Sequence, residues 1–220
     1  MRVNARDVKT GEIIVVAIAM NAPGVSVIDT WDTLSMRATA SNDLVLDDVR
    51  LPASSIGVRL SPDAPAWDPA FAAVIKWFLA GITSVYVEIA DHARDAALET
   101  MGGGANSSHL DEALTDVLLG ELEVAHLTAS ATLQHSINKI QAIADAIVAM
   151  KLAITMKEVW TNAAIDVVDR AVNIVGGKAF HRRSILERLA RDVRAARHHP
   201  PSAPVAQQMI GIATRDGIHA

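Results

Sequence analysis

At 220 residues, half of them hydrophobic and a fifth charged, the chain has enough apolar mass for one or two packed domains. A net charge of −5 comes with no basic stripe to neutralise a nucleic-acid backbone, and the lack of cysteine excludes disulfides, thiolate nucleophiles and Cys-based zinc or iron–sulfur sites. No run reaches the roughly 18 uninterrupted apolar residues of a membrane helix, and MRVNARDVKTG at the start lacks the apolar core of a signal peptide; a cytoplasmic protein that engages neither nucleic acid nor membrane is expected.

In chain order, EIIVVAIAM from Glu12 to Met20 is a β-branched apolar run that reads as a buried strand. Asn21, Pro23 and Gly24 turn the chain, and Val25 to Ile28 and Leu44 to Leu51 read as two further strands around a polar loop. Three strands cannot close a barrel, so this is a partial β-domain, assigned to residues 1–62. Pro52 to Pro69 reads as the linker, and residues 63–220 as a helical domain.

Asp68 before Pro69 is a good helix start. The first helix runs to about Met101, with Phe71, Val74, Phe78, Ile82, Val85 and Ile89 as its apolar face, and stops at Gly102-Gly103-Gly104. Ser108 with Asp111 has capping-box spacing for a second helix, whose stripe is Leu114, Val117, Leu118, Leu122 and Ala125. A third helix covers about Ile143 to Val175, with Ile147, Met150, Ile154, Ile165, Val168 and Val172 on one side. Met101, Met150, Met156, Trp77 and Trp160 read as core. The expected fold is mainly α, an up-down helical bundle preceded by a partial β-domain.

Gly176 and Gly177 end the long third helix; one of them supplies the backbone conformation that a side chain would resist, and the pair leaves amides that a phosphate or ribose can approach. Ser184 and Glu187 have capping-box spacing ahead of a short helix dense in Glu187, Arg188, Arg191, Asp192 and Arg194, where ion pairing on a solvated face is the plain reading. His92, His109, His126 and His135 lack the i, i+4 spacing of metal ligands, and no metal is expected.

The order Asn173-x-x-Gly176-Gly177-x-x-Phe180, then Glu187-Arg188-x-x-Arg191-Asp192-x-Arg194, then a turn and a last helix, resembles the C-terminal end of acyl-CoA dehydrogenases and related flavoproteins. TWDTLSMRATASNDLVLDDVRLP, from Thr30 to Pro52, is similar to the family's middle β-domain. The resemblance implies a flavin-dependent oxidoreductase, the C-terminal part of a longer or complemented chain, that oxidises an acyl-CoA-like or small organic substrate through FAD. It also implies a homo-oligomer, a tetramer built as a dimer of dimers. Asn173, Gly176, Gly177, Thr39, Ser41 and Ser202 are then expected to bind cofactor, and Trp31 and Arg37 substrate.

Three departures from the family pattern stand in this chain. The turn after the first helix lacks the family's Arg and Phe-Gly pair; Asn173 replaces a Gln; and Pro200-Pro201-Ser202 occupies the positions of the Glu-Gly-Thr whose glutamate serves dehydrogenases as base. Ser202 is still expected to cap the last helix. The segment is also similar to the flavin-dependent monooxygenase branch, which ends Arg-Asp-x-Arg and then His-x-Pro: here Arg191, Asp192, Arg194, His199 and Pro201. His199 is therefore the expected catalytic residue, able to move a proton near neutral pH. A non-catalytic assembly module is the remaining expectation.

Overall fold

A computed structural model describes residues 1–61, 69–102 and 111–219, in two compact units, Met1–Asp68 and Pro69–Ala220. The expected boundary between residues 62 and 63, the Asp68 cap, the stop at Gly103 and Gly104, His109, and the Ser108 half of the second capping box lie outside the described residues.

In the first unit, strands β1 (Arg2–Arg6), β2 (Ile13–Ala17), β3 (Val25–Ile28), β4 (Asp43–Leu46) and β5 (Ile56–Leu60) form two antiparallel sheets. The larger has the order β1-β2-β5, with Arg2 opposite Ala17, Ile13 opposite Leu60 and a bulge between Ile14 and Val16. In the smaller, β3 pairs with β4, Val25 opposite Leu46 and Ile28 opposite Asp43. β1 and β5 correct the sequence reading: β1 alternates Arg, Val, Asn, Ala, Arg and so lacks an apolar run, and β5 lies inside the stretch that reads as linker because of its four prolines, Pro52, Pro62, Pro65 and Pro69. The strand expected over Leu44 to Leu51 ends at Leu46. Gly24 is required at its position: φ is 86°, and a Cβ there would lie 2.1 Å from the Asp47 carbonyl oxygen. Val16 and Ile18 are buried, whereas Val27, Ile28, Leu44, Val45, Leu46 and Val58 stay exposed, so these sheets cover little of their own apolar surface.

The second unit holds α1 (Pro69–Gly102), α2 (Glu112–Ala142), α3 (Ala146–Val175), α4 (Ile185–Asp192) and α5 (Ala203–Arg215). α3 is the central helix, packed by α1, α2, α4 and α5, and it buries Met150, Ile154, Trp160, Val167, Val168 and Ile174. Asp111 caps α2 by accepting from the Leu114 amide at 2.7 Å. Asp145 caps α3 by accepting from the Ile147 and Val148 amides, which places the start of α3 after Asp145 rather than at Ile143.

The α1 face is a second correction. Among the described residues it buries Ala72, Leu79, Ala80, Thr83, Tyr86, Val87, Ala90, Ala93, Ala96 and Ala97, while Phe71, Val74, Phe78 and Val85 of the expected stripe are exposed. Helices in close contact select small side chains, so the alanine face packs and the bulky face turns outward. α2 behaves likewise, burying Leu122, Ala129, Ser136 and Ile140 and exposing Leu114 and Val117. Trp160 is buried as expected, but Trp77 is exposed beneath the Lys76 ammonium, 5.7 Å from its ring. By length and composition, Phe71–Met101 is apolar enough to cross a bilayer, although Lys76 interrupts it; one side of it packs here as core.

The expected caps at Ser184 and Ser202 also need correction. Both residues sit at N-cap positions, yet neither side chain makes a cap hydrogen bond among the described residues. Glu187 is drawn away from Ser184 because its carboxylate accepts from Arg191 at 2.9 Å and Arg182 at 3.0 Å.

At the end of α3, Gly176 has φ 66° and ψ −143°, an extended positive-φ conformation that is essentially confined to glycine, and its amide donates to the Val172 carbonyl. Gly177 has no such constraint, and a Cβ on it meets nothing within 4 Å. Gly176→Ala is therefore expected to cost about 1–3 kcal/mol, and Gly177→Ala less than about 0.5 kcal/mol; equal denaturation midpoints for the two variants would refute this assignment.

Candidate functional site

The turn between α4 and α5 is fixed from several sides. A 3-10 turn over Val193–Arg197 follows α4, and the Ala195 carbonyl accepts from both the His198 amide (2.9 Å) and the His199 amide (3.2 Å). The peptide between Pro200 and Pro201 is cis. From α3, Lys157 reaches up with a side chain only 3 % exposed; its Nζ donates to the Pro201 carbonyl at 2.8 Å and lies 3.4 Å from the Glu158 carboxylate. From α1, the hydroxyl of Tyr86 meets His199 Nδ1 at 2.5 Å, and the two rings stand edge to face with centroids 5.5 Å apart.

Electrostatics follow from this packing. Burial pushes the Tyr86 phenol up to about 12, with the negative charge of Asp192 adding to it. Burial also holds the His199 imidazole below its ordinary value; the Ala195 carbonyl opposes this and the Lys157 charge reinforces it. At neutral pH the pair is a protonated phenol against a neutral imidazole. Elsewhere on the same helices, α1 and α4 form a shallow groove of about 510 Å³, lined by Ser84, Glu88 and His92 on one wall and Arg188, Leu189 and Asp192 on the other.

Among the residues expected from sequence, His199 is brought against Tyr86, and Ser202 lies half-buried at the end of the same turn. Asn173 and Gly177 are exposed at the end of α3, with Gly176 between them in sequence. This is a helix C-terminus, where carbonyls rather than amides point outward, so it suits a hydroxyl or amino donor better than a phosphate. Glu187 is not a base in waiting: its hydrogen bond from Arg191 holds the carboxyl below the usual range.

In the first unit, the loop between β3 and β4 gathers Trp31, Arg37, Thr39 and Ser41. Trp31 Nε1 donates to the Met36 carbonyl at 3.1 Å, Asn42 Oδ1 accepts from the Thr30 and Trp31 amides, and Arg37 pairs loosely with Asp32 at 3.4 Å. Thr39 donates to the Met36 carbonyl at 2.8 Å and shares a 3.1 Å hydrogen bond with Ser41. Met36 and Ala40 are both left-handed, with φ 54° and 44°, the kind of backbone strain that collects at functional loops.

Tyr86 and Lys157 escape the sequence reading because their partners lie far along the chain. A signal for each exists nonetheless. Tyr86 is the chain's single tyrosine. Lys157 falls three residues after Ile154, on the buried stripe of α3, where a charge needs a partner.

The family described as "Acyl-CoA dehydrogenase, C-terminal domain" matches residues 81–202. The protein named "Putative acyl-CoA dehydrogenase YdbM", of Bacillus subtilis (strain 168), is 35% identical over 186 residues, covering 81% of this chain and 46% of that protein. The amino sugar nitrososynthase RubN8 of Streptomyces rubradiris is 32% identical over 193 residues, 84% of this chain and 44% of its own. Among solved structures, KijD3 in complex with FMN and dTDP-3-amino-2,3,6-trideoxy-4-keto-3-methyl-D-glucose superposes with a TM-score of 0.86 at 25% identity, covering 100% of this chain and 56% of that one. The chain thus spans less than half the length of the curated relatives it matches. With the family matched over more than half of its residues and the helical fold in agreement, the chain belongs to the acyl-CoA dehydrogenase C-terminal domain family.

Proposed function

We propose that the full-length protein is a flavin-dependent oxidoreductase in which this chain supplies the helical half of the site, and that it oxygenates a small organic substrate with reduced flavin and dioxygen. The observation that carries this reading is His199, half-buried and hydrogen-bonded by Tyr86 in a turn whose Pro200-Pro201-Ser202 has no carboxylate to abstract an α-proton. A flavin, when bound, would supply the two-electron chemistry. His199 handles the proton, and Lys157 keeps the turn in register through the Pro201 carbonyl. Gly177 and Asn173 fit a flavin contact because the space above the glycine is open and the amide is exposed. The similar KijD3 structure contains FMN, which favours FMN beside the FAD expected from sequence. An amine is the favoured substrate class, since RubN8 is by name an amino sugar nitrososynthase and the KijD3 complex holds an amino sugar nucleotide.

The second reading is acyl-CoA dehydrogenation, favoured by the name of YdbM. In that case the base comes from another helix. The exposed apolar residues Phe71, Val74, Phe78, Leu114, Val117 and Leu127 support a homo-oligomer, proposed as a tetramer, in the full-length protein. The test is to purify that protein, identify its flavin by extraction and chromatography, measure its mass by light scattering, and compare oxygen consumption with amines against dye reduction with acyl-CoA. Amine-dependent product formation is expected; fast acyl-CoA oxidation with no oxygenated product would establish the second reading instead.

A further inference from the structure

We propose that Tyr86 is the positioning residue that fixes the tautomer of His199, holding its proton on Nε2 so that the imidazole meets substrate as a hydrogen-bond donor and not as a base. This rests on the reading of His199 as the proton-handling group.

The geometry carries the argument. Tyr86 is 3 % exposed, and among the described residues its hydroxyl has His199 Nδ1 as its hydrogen-bond partner, at 2.5 Å. A buried hydroxyl left without an acceptor is costly, so the phenol proton points at the Nδ1 lone pair. An Nδ1–H tautomer would set two protons against each other across that short distance, or leave the phenol proton stranded. The proton of a neutral imidazole then sits on Nε2. The edge-to-face ring contact holds the imidazole plane, and the Ala195 carbonyl holds the His199 backbone, so ring and tautomer are set together.

The charged and titratable groups around the pair fit this assignment. α1 contributes Tyr86 itself, α3 contributes Lys157 and Glu158, and α4 contributes Asp192. Lys157 disfavours a second positive charge on the imidazole. Asp192 disfavours a phenolate. Burial, reinforced by these two charges, keeps the phenol protonated and the imidazole neutral through the neutral range, so Nε2–H is a standing donor, in the manner of neutral histidines that polarise a substrate oxygen.

The test uses full-length protein labelled with 15N-histidine, with His199 assigned by loss of its signals in His199→Gln and read by solid-state 15N NMR, alongside steady-state kinetics. Wild type is expected to carry its neutral-pH proton on Nε2. Tyr86→Phe, which keeps the ring contact, is expected to show a mixture of tautomers and to lose about 10-fold in kcat with KM within about twofold. A wild-type proton on Nδ1, or a tautomer unchanged in Tyr86→Phe, overturns the proposal. Should Tyr86→Phe fail to fold, the wild-type tautomer alone decides. If the tautomer behaves as stated while His199→Ala leaves turnover intact, the positioning role of Tyr86 stands and the proton-handling role of His199 falls.

Discussion

Exchanging His199 for Ala in the full-length protein is expected to slow turnover on the order of 100- to 1,000-fold, the usual size of losing one preorganised donor at a reacting oxygen. The loss should appear in kcat more than in KM, because the donor acts where charge develops. Two pH signatures accompany it. Burial depresses the His199 pKa, so the neutral imidazole that accepts from Tyr86 should persist from neutral pH to below the ordinary value of 6.5; protonation at Nδ1 below the folded pKa removes the Tyr86 contact while leaving the Nε2 donor. Stability follows the same sign: between the folded pKa and 6.5 the unfolded chain binds more protons than the folded one, so stability rises with pH across that window. His199→Ala should flatten this rise. Undiminished turnover in His199→Ala, with acyl-CoA as the substrate, would remove the oxygenase reading and move the search for a base to α1, whose Glu88 lines the groove.

What the sequence made visible was whatever is local. The Pro23-Gly24 turn places β3 at Val25 to Ile28, Pro69 and the glycines after Met101 bound α1, Asp111 marks the start of α2 and Gly176 the end of α3. These signals act over one turn of chain and survive any tertiary arrangement. The buried face of α1 was not visible, because the expected stripe was chosen by side-chain bulk whereas Ala72, Ala90, Ala93 and Ala97 are the residues that let α3 approach. β1 was missed for a related reason: Arg2, Asn4 and Arg6 interrupt it, and only its ladder with β2 makes it a strand.

The candidate site divides the same way. His199 was legible because the Arg191-Asp192-x-Arg194 segment anchors a short, recognisable turn. Its partners were not, since a helix packing event brings Tyr86 to it from 113 positions away. Ser184 and Ser202 stood at helix starts as expected, but occupying a cap position does not oblige a hydroxyl to bond there. Glu187 found two guanidinium groups instead, and charge-assisted hydrogen bonds outcompete a neutral capping contact.

Trp160→Ala is expected to be the most damaging single truncation in the helical unit, at about 3–5 kcal/mol. Its side chain is fully buried on α3, the helix that the rest of the unit packs around. An indole of this kind removes on the order of 150–250 Å² from water, and Ala153 and Ala164, buried on the same face of α3, are too small to fill the space it leaves. Set against a total stability of about 5–15 kcal/mol, the change consumes a large share of what holds the fold. Trp77→Ala provides the control: the same residue type, read from sequence as core in the same way, is 46 % exposed and should cost less than about 1 kcal/mol. The consequence reaches the site, because Trp160 follows Lys157 by one turn of α3 and Lys157 holds the Pro201 carbonyl of the His199 turn. Trp160→Ala should therefore also loosen the Tyr86–His199 contact, visible as tautomer mixing at His199 even below the unfolding transition. Denaturation of both variants measures the first effect; a cost below about 1 kcal/mol for Trp160→Ala would show that the unit is not organised around α3 as its burial indicates.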